Sequence, residues 1–439
     1  MTSNPTDKRR LIVVGAGPMG LAAAYFAALK GYKVDVLEAA PEIGGMAVQF
    51  DFDGLSIERF YHFCALSDSD TMELLDEVGI GDAMRWKRTT MGYCIDGQLH
   101  PWGDPIALLK FPHMNIVEKV RYGLQAFLST KRSDWRKLDQ ISAESWFRSW
   151  CGDRVYDLMW RPLLEYKFYE YAGDISAAWM WQRIKRLGNS RSSLFEERLG
   201  YIEGGTQTLM DALAQAIISN GGTIHTSKPV RLFDIDETGA VAGVHTADGE
   251  HFSADDVVST APLPAVVDML PKDDALRRPY VQMQNISCVC VLLKLKRSVS
   301  PHFWVNLNMP GLEVPGLVEF SNLRPLDDHI VYVPFYMPST NPKFIRDDDS
   351  FLRESLEAIQ SVNPDLTAED IVASHIGRLK YSQPICDVGF AGKIPHFQTP
   401  IPGLKIADTS YYYPEDRGVS ESIRFARLMV DALADGAPS

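Results

Sequence analysis

A short apolar run, a glycine-rich turn and an alanine-rich stretch open this chain, and their order restricts its first 38 residues to one kind of unit. Residues 11–14 read as a buried strand, Gly15-Ala16-Gly17-Pro18-Met19-Gly20 as a GxGxxG turn, and residues 21–30 as a helix. Gly15 permits the tight turn, Gly17 lets the backbone approach a pyrophosphate, and Gly20 lets the helix lie close to the strand. Phosphates would then face the free N–H groups and positive end of that helix, with Pro18 and Met19 in the same cradle. Gly31 ends the helix and residues 33–37 form a second strand. Glu38 stands at its tip, 23 residues after Gly15, placed to accept ribose hydroxyls and to repel a 2′-phosphate. Strand, turn, helix, strand and terminal acid in register separate this unit from a glycine turn that binds nothing.

The next residues distinguish the dinucleotide. Glu42-Ile43-Gly44-Gly45-Met46 places a glycine pair directly after the ribose acid. This resembles the extended FAD signature of glutathione-reductase and amine-oxidase type folds, which implies that Gly44, Gly45 and Met46 pass close to the FAD phosphates and ribitol. Further segments are similar to the superfamily of flavin amine oxidases, protoporphyrinogen oxidases, carotenoid desaturases and UDP-galactopyranose mutases. Residues 201–209, Tyr-Ile-Glu-Gly-Gly-Thr-Gln-Thr-Leu, look like its central glycine-pair segment, followed by a helix over 210–219. Pro229-Val230 matches the strand whose Val230 backbone meets the adenine, and residues 255–262 resemble the family's later strand and turn. Residues 403–408 fit the third FAD segment, in which Asp408 at a strand tip reaches the ribitol or pyrophosphate. The final helix then begins near Val419 and Ser420, whose N–H groups would face the flavin and favour its electron-rich reduced form. Two departures stand out: Ala407-Asp408 replaces the usual Gly-Asp pair, and Val419-Ser420-Glu421-Ser422 replaces a Gly-Ala. Glu421 reads either as a solvated acid in a first helical turn or as a group set near the flavin.

The fold class that follows is α/β (α+β overall): a Rossmann-type FAD-binding domain with an interleaved substrate domain of mixed helix and sheet. A chain of 439 residues exceeds what one core usually sustains. The FAD-binding domain is expected from residues 1–95, 200–290 and 395–439, and the substrate domain from 96–199 and 291–394. Apolar spacing predicts helices over 117–128, 143–151, 155–164, 177–187 and 351–362, and strands over 287–295 and 329–335. No second GxGxxG unit follows the first, so a two-dinucleotide reductase fed by NAD(P)H is disfavoured.

Charge and cysteine usage narrow the partners. A formal net charge of −13 argues against general affinity for nucleic acid or an anionic lipid surface, although local basic clusters can act on their own. The six cysteines (Cys64, Cys94, Cys151, Cys288, Cys290 and Cys386) lack zinc-type spacing and read as reduced core residues, so no metal is expected. No apolar run is long enough to span a bilayer and the N-terminus is too polar for a signal peptide, which makes the cytoplasm the expected compartment. Oligomeric state is not legible.

Candidate reacting groups lie farther along. Residues 54–63, Gly-Leu-Ser-Ile-Glu-Arg-Phe-Tyr-His-Phe, resemble the family segment that runs beside the flavin. His62 there is a candidate hydrogen-bonding or acid/base group, and Arg59 a candidate holder of the flavin or of a substrate anion. Packed or ion-paired roles are the plain alternatives. Residues 183–198 carry Arg183, Lys185, Arg186, Arg191 and Arg198 against Glu196 and Glu197, an excess of three positive charges. Arg183, Arg186 and Arg191 at a pocket mouth would suit a phosphate or carboxylate on the substrate; a solvated helix face is the alternative. Lys167 in an aromatic-rich stretch and Tyr411 beside the third FAD segment are candidate pocket walls.

Three classes of function remain. The first is an enzyme with non-covalent FAD that takes a hydride from a small-molecule substrate to flavin N5. The second is a non-redox flavoenzyme acting on a nucleotide sugar, and the third a non-catalytic flavin-binding protein. The aromatic cage of amine oxidases is not evident, so an amine is not the preferred substrate.

Overall fold

A computed structural model describes residues 8–193 and 196–434. Its N-terminal layer is a parallel sheet of β1 (Arg10–Val14), β2 (Lys33–Leu37), β3 (Thr223–His225), β4 (Asp256–Ser259) and β5 (Leu404–Ile406), in the spatial order β3-β2-β1-β4-β5. Strand β1 carries Leu-Ile-Val-Val and pairs in parallel on both sides, so its apolar run is buried on both faces. Helix α1 (Pro18–Leu29) packs on this sheet. It is buried from Met19 to Ala28, which explains a sequence of small and apolar residues on every side.

Two helices distant in sequence complete this half: α3 (Thr206–Ser219) and α4 (Val419–Ala434), both packed on α1. Helix α2 (Ala177–Asn189) packs instead on the helices Ile116–Lys131 and Arg136–Asp139. The expected helices at 143–151 and 177–187 occur as Ala143–Cys151 and Ala177–Asn189. The stretch expected as one helix over 155–164 is two, Asp153–Met159 and Arg161–Phe168, divided at Trp160. Pro162 cannot donate a backbone hydrogen bond and tolerates only a first helical turn, so a new helix starts there.

The second half is built on a seven-stranded sheet. Its order is Ile371–Pro384, Asn285–Leu295, His329–Met337, Gly316–Glu319, Trp304–Asn308, Met91–Ile95 and Gln98–Trp102. Two strands of this sheet meet or cross the expected domain bounds. Residues 91–95 belong to this sheet, because Met91–Ile95 pairs in parallel with Trp304–Asn308. Strand Asn285–Leu295 crosses the expected boundary at 290 unbroken, held between Ile371–Pro384 and His329–Met337. A small sheet of Cys64–Ala65, Glu196–Ile202 and Met84–Thr89 links the halves, so the segment before residue 200 also belongs in part to the joint.

Candidate functional site

The glycine turn shows which of its glycines serve the chain and which do not. A Cβ on Gly20 would stand 1.9 Å from the Gly15 carbonyl oxygen, and Gly15 itself has φ +101°, so both are required by the packing of helix on strand. Gly17 is different. Its φ is −74°, and an added Cβ would have Gly45 Cα at 3.9 Å as its nearest neighbour. Nothing in the protein requires glycine at 17, so the space beside it is kept clear for something else. Gly45 faces the same space, with φ +57° and a Cβ position 3.1 Å from Gly17 Cα. The N-terminus of α1 carries no side-chain cap and no acidic residue in its first turn, with Pro18 at its start. Uncapped N–H groups at a helix start bind phosphate. These observations fit a dinucleotide pyrophosphate.

The neighbouring contacts fix the cradle's shape. The Glu38 carboxylate accepts hydrogen bonds from the N–H groups of Ala16, at 2.6 Å, and Ala40, at 2.8 Å. This sets it against the glycine turn at the tip of β2. Gly44 N–H donates to the Ala16 carbonyl at 2.8 Å, which ties the glycine pair, followed by Met46, to the same turn. Val230 is buried at the head of its strand, facing Thr246 across the ladder. Asp408 is buried and its two oxygens accept from Leu263 N–H and Ser410 N–H, so it organises two turns at the tip of β5.

Beside the second sheet, charged groups from three segments converge. Lys167 is buried with its ammonium 5.0 Å from the centre of the Trp179 ring and 5.1 Å from that of Tyr336. The Arg183 guanidinium also lies over the Trp179 ring, 4.9 Å from its centre, and pairs with Asp416. Arg417 donates to Ser382 Oγ at 2.7 Å. Burial, reinforced by the Arg183 charge, pushes Lys167 well below the ordinary lysine range. Burial works against ionising Asp416, yet Arg183, Lys167 and Arg417 hold its carboxyl down to about 2. The cluster thus sets a carboxylate held in its charged form beside an amine whose charged form is disfavoured.

Tyr61 and His62 reach the same place from the segment after the glycine pair. Tyr61 packs edge-on against Tyr332 and Trp304, and burial raises its phenol far above the usual range. His62 Nδ1 lies 2.7 Å from the Phe60 carbonyl oxygen, which can only accept, so Nδ1 carries the proton. Burial lowers the His62 pKa, against opposing effects of Glu58 and the Phe60 carbonyl and with help from Arg417. A neutral ring in that tautomer offers Nε2 as an acceptor. Arg59 turns elsewhere: it lies over Phe50, beside His375, with its Nε buried and unpartnered.

The three arginines expected at a pocket mouth each have partners within the protein. Arg183 pairs with Asp416 and Arg186 with Asp68 at 2.7 Å, so each brings its own counter-charge from a neighbouring segment. Arg191 donates to the Gly103 carbonyl and lies 4.0 Å from Glu197. Nor is Glu421 a solvated first-turn acid. It is largely enclosed, its Oε2 has no hydrogen-bond partner, and burial raises it to about 7 in spite of Arg186 nearby. Val419 and Ser420 open α4 beside it, Ser420 buried. Tyr411 faces a hollow of about 390 Å³ together with Trp135, Phe397 and Tyr413. All six cysteines are free and buried. Asp234, His245 and His251, residue types that ligate metals, meet on the face of a three-stranded sheet, with His251 Nε2 2.9 Å from Asp234. Their spacing along the chain gave no sign of it.

The fold thus presents a backbone cradle that fits a pyrophosphate and, separately, a cluster of buried ionisable side chains. The chain belongs to the family of flavin-containing amine oxidoreductases, whose profile matches residues 20–368. It is 25% identical over 288 residues to a 15-cis-phytoene desaturase of Solanum lycopersicum, covering 61% of this chain and 49% of that protein. The chain therefore spans about half the length of that curated relative. Among solved structures, a putrescine oxidase superposes with a TM-score of 0.76 at 16% identity, covering 99% of this chain and 100% of the other. A reduced UDP-galactopyranose mutase does so with a TM-score of 0.74 at 16% identity, covering 98% and 95%. Membership of that family implies a flavin cofactor, and the likeness to solved structures establishes the fold.

Proposed function

We propose that this enzyme holds FAD non-covalently and oxidises a small-molecule substrate. The observation that carries the reading is Gly17: a glycine with ordinary backbone angles and open space beside it, facing Gly45 across the N-terminus of α1. Gly15, Pro18, Met19 and Gly20 present backbone to the same space, Glu38 takes the ribose, and Val230, Asp408, Val419 and Ser420 serve the adenine, ribitol and ring portions. When bound, FAD supplies the acceptor for a hydride at its N5.

The rest falls to the chain's own side chains. Lys167, whose pKa burial lowers, and His62 Nε2, fixed as an acceptor, are the groups that exchange a proton as the substrate is oxidised. Arg417 and Arg183 maintain the charge of Asp416, and that carboxylate keeps the Lys167 proton within reach. The rings of Tyr61, Trp179 and Tyr336 suit an apolar substrate body. Since Arg183 and Arg186 already hold carboxylates, an anionic substrate group would have to share them with Asp416 and Asp68.

The purified protein should be yellow and release FAD into the supernatant on denaturation. A folded, colourless preparation that refuses added FAD would defeat the proposal, while colour retained by the precipitated chain would defeat its non-covalent part. Anaerobic addition of a porphyrinogen, a polyprenoid and a nucleotide sugar then assigns the reaction. Bleaching of the flavin is the expected result. Turnover of the nucleotide sugar by prereduced enzyme, with no bleaching by any compound, would replace the redox reading with the mutase-like one.

A further inference from the structure

The helix Ile116–Lys131 is folded inside out. Its protein-facing side carries Gln125 and Ser129, both buried; Gln125 Oε1 accepts from the Cys151 thiol, and the Ser129 carbonyl accepts from Trp181 Nε1 at 2.9 Å. Its solvent-facing side carries Ile116, Val117, Val120, Leu124, Phe127 and Leu128, each between 41% and 64% exposed. The spacing of these six follows one helical stripe. The neighbouring helix Pro105–Lys110 adds Ile106 and Leu109, both more than half exposed, and Lys119 Nζ donates to the Leu109 carbonyl at 2.7 Å, which holds the two helices side by side. An apolar surface of this extent, contiguous over two helices, marks an interaction site.

Charge around the stripe selects the partner. Residues 105–137 contain seven lysines and arginines against two acids, in a chain whose net charge is −13. Both acids are already matched: Glu118 pairs with Arg154 at 2.6 Å and Asp134 with Arg136 at 3.2 Å. Lys110, Lys131 and Arg132 are exposed beside the apolar stripe, and the Lys131 ammonium lies 5.6 Å from the Phe127 ring centre. A helix of 16 residues is about 24 Å long, too short to cross a bilayer and well suited to lie in its surface. We infer that this surface seats the protein on an anionic lipid bilayer, with the apolar stripe among the acyl chains and the cationic rim at the headgroups. Its inner side packs on α2, the helix that carries Arg183 and Arg186, so the candidate site sits directly behind the attached face. The inference concerns the surface alone and holds whatever the substrate proves to be.

Vesicle flotation tests it with the full-length, flavin-loaded protein. Vesicles of phosphatidylcholine containing about 30 mol% phosphatidylglycerol should carry the protein upward, and pure phosphatidylcholine should do so at least tenfold less well. Raising salt from about 0.05 to 0.5 M should weaken the binding. The triple variant Val120→Glu, Leu124→Glu, Phe127→Glu should stay at the bottom of the gradient with unchanged circular dichroism and flavin content, since all three side chains are exposed. Reversal of Lys110, Lys131 and Arg132 to Glu should remove the preference for anionic vesicles and leave the apolar stripe intact. Failure of the wild type to float overturns the inference, as does flotation of the triple variant at the wild-type level. A concentration-dependent dimer that the triple variant dissolves, with no flotation, overturns it in favour of a second copy of the chain.

Discussion

The two ends of the proposed cofactor site are made of different materials. At the pyrophosphate end the ligand-facing groups are backbone: Gly17, Gly45 and the uncapped start of α1, with Glu38 as the one carboxylate. At the ring end they are ionisable side chains from separate segments, Lys167, His62, Asp416, Arg417 and Glu421, with few water contacts. Backbone dipoles do not titrate, so the first end should bind alike at any pH the fold survives. The second end should respond to pH, because burial favours the uncharged forms of Lys167, His62 and Glu421 there, while Asp416 and Arg417 stay charged.

The largest effect expected is at the backbone end. Gly17→Val should abolish flavin retention while the protein stays folded, because the added Cβ has only Gly45 Cα nearby, at 3.9 Å. A normal flavin spectrum in this variant would remove the cradle from the account. Next comes Lys167→Met, expected to retain flavin and lose roughly 100- to 10,000-fold in kcat, the usual range for a displaced acid/base group. The acid limb of its pH profile should vanish too; if that limb persists, and His62→Gln removes it instead, the proton belongs to the histidine.

A third comparison separates structural arginines from binding ones. Arg186→Ala leaves Asp68, a nearly buried carboxylate, without its guanidinium. Loss of a largely buried pair costs about 3 to 5 kcal/mol, visible as a lower Tm. A raised KM with unchanged Tm would instead restore Arg186 to the substrate. The smallest effect concerns Glu421, whose pKa rises from 4.5 to about 7 on folding. The folded state binds its proton more tightly, so this stabilisation is complete below pH 4.5 and is lost as pH climbs through about 7. Glu421→Gln should therefore gain stability relative to wild type at pH 8 and not at pH 4, by at most about 3 kcal/mol. Equal differences at the two pH values would show that the carboxyl does not titrate in this window.

The backbone end was readable from the sequence because it is local. Gly15, Gly17, Gly20, Glu38 and the Gly44-Gly45 pair lie within 31 residues, and each acts through its own φ or its immediate neighbours. The ring end was readable only in fragments. Lys167 and Tyr336 are far apart in sequence, and the burial that shifts Lys167 exists only once helix and sheet have met. The arginine run showed its charge but not Asp68 and Asp416, which come from other segments to neutralise it. Helix 117–128 was likewise legible as a helix, but spacing does not tell which face turns inward, and here the polar face does. That residues 91–95 and strand 285–295 join the second sheet is not legible for a related reason: strand pairing, not composition, decides to which sheet a run belongs.

The order of strands in the parallel sheet also sets a timetable for synthesis. Strands β1 and β2 leave the ribosome first, yet their neighbours β3, β4 and β5 begin at residues 223, 256 and 404. Until β5 and α4 emerge, β4 has a bare edge and α1 lacks the helix that covers it. Long-range pairing of this sort is slow and leaves apolar surface uncovered in the nascent chain. Cofactor capture is then a late event, after the last helix is released. Growth with limiting riboflavin should accordingly yield full-length chains that fill with flavin when it is supplied after translation has been stopped.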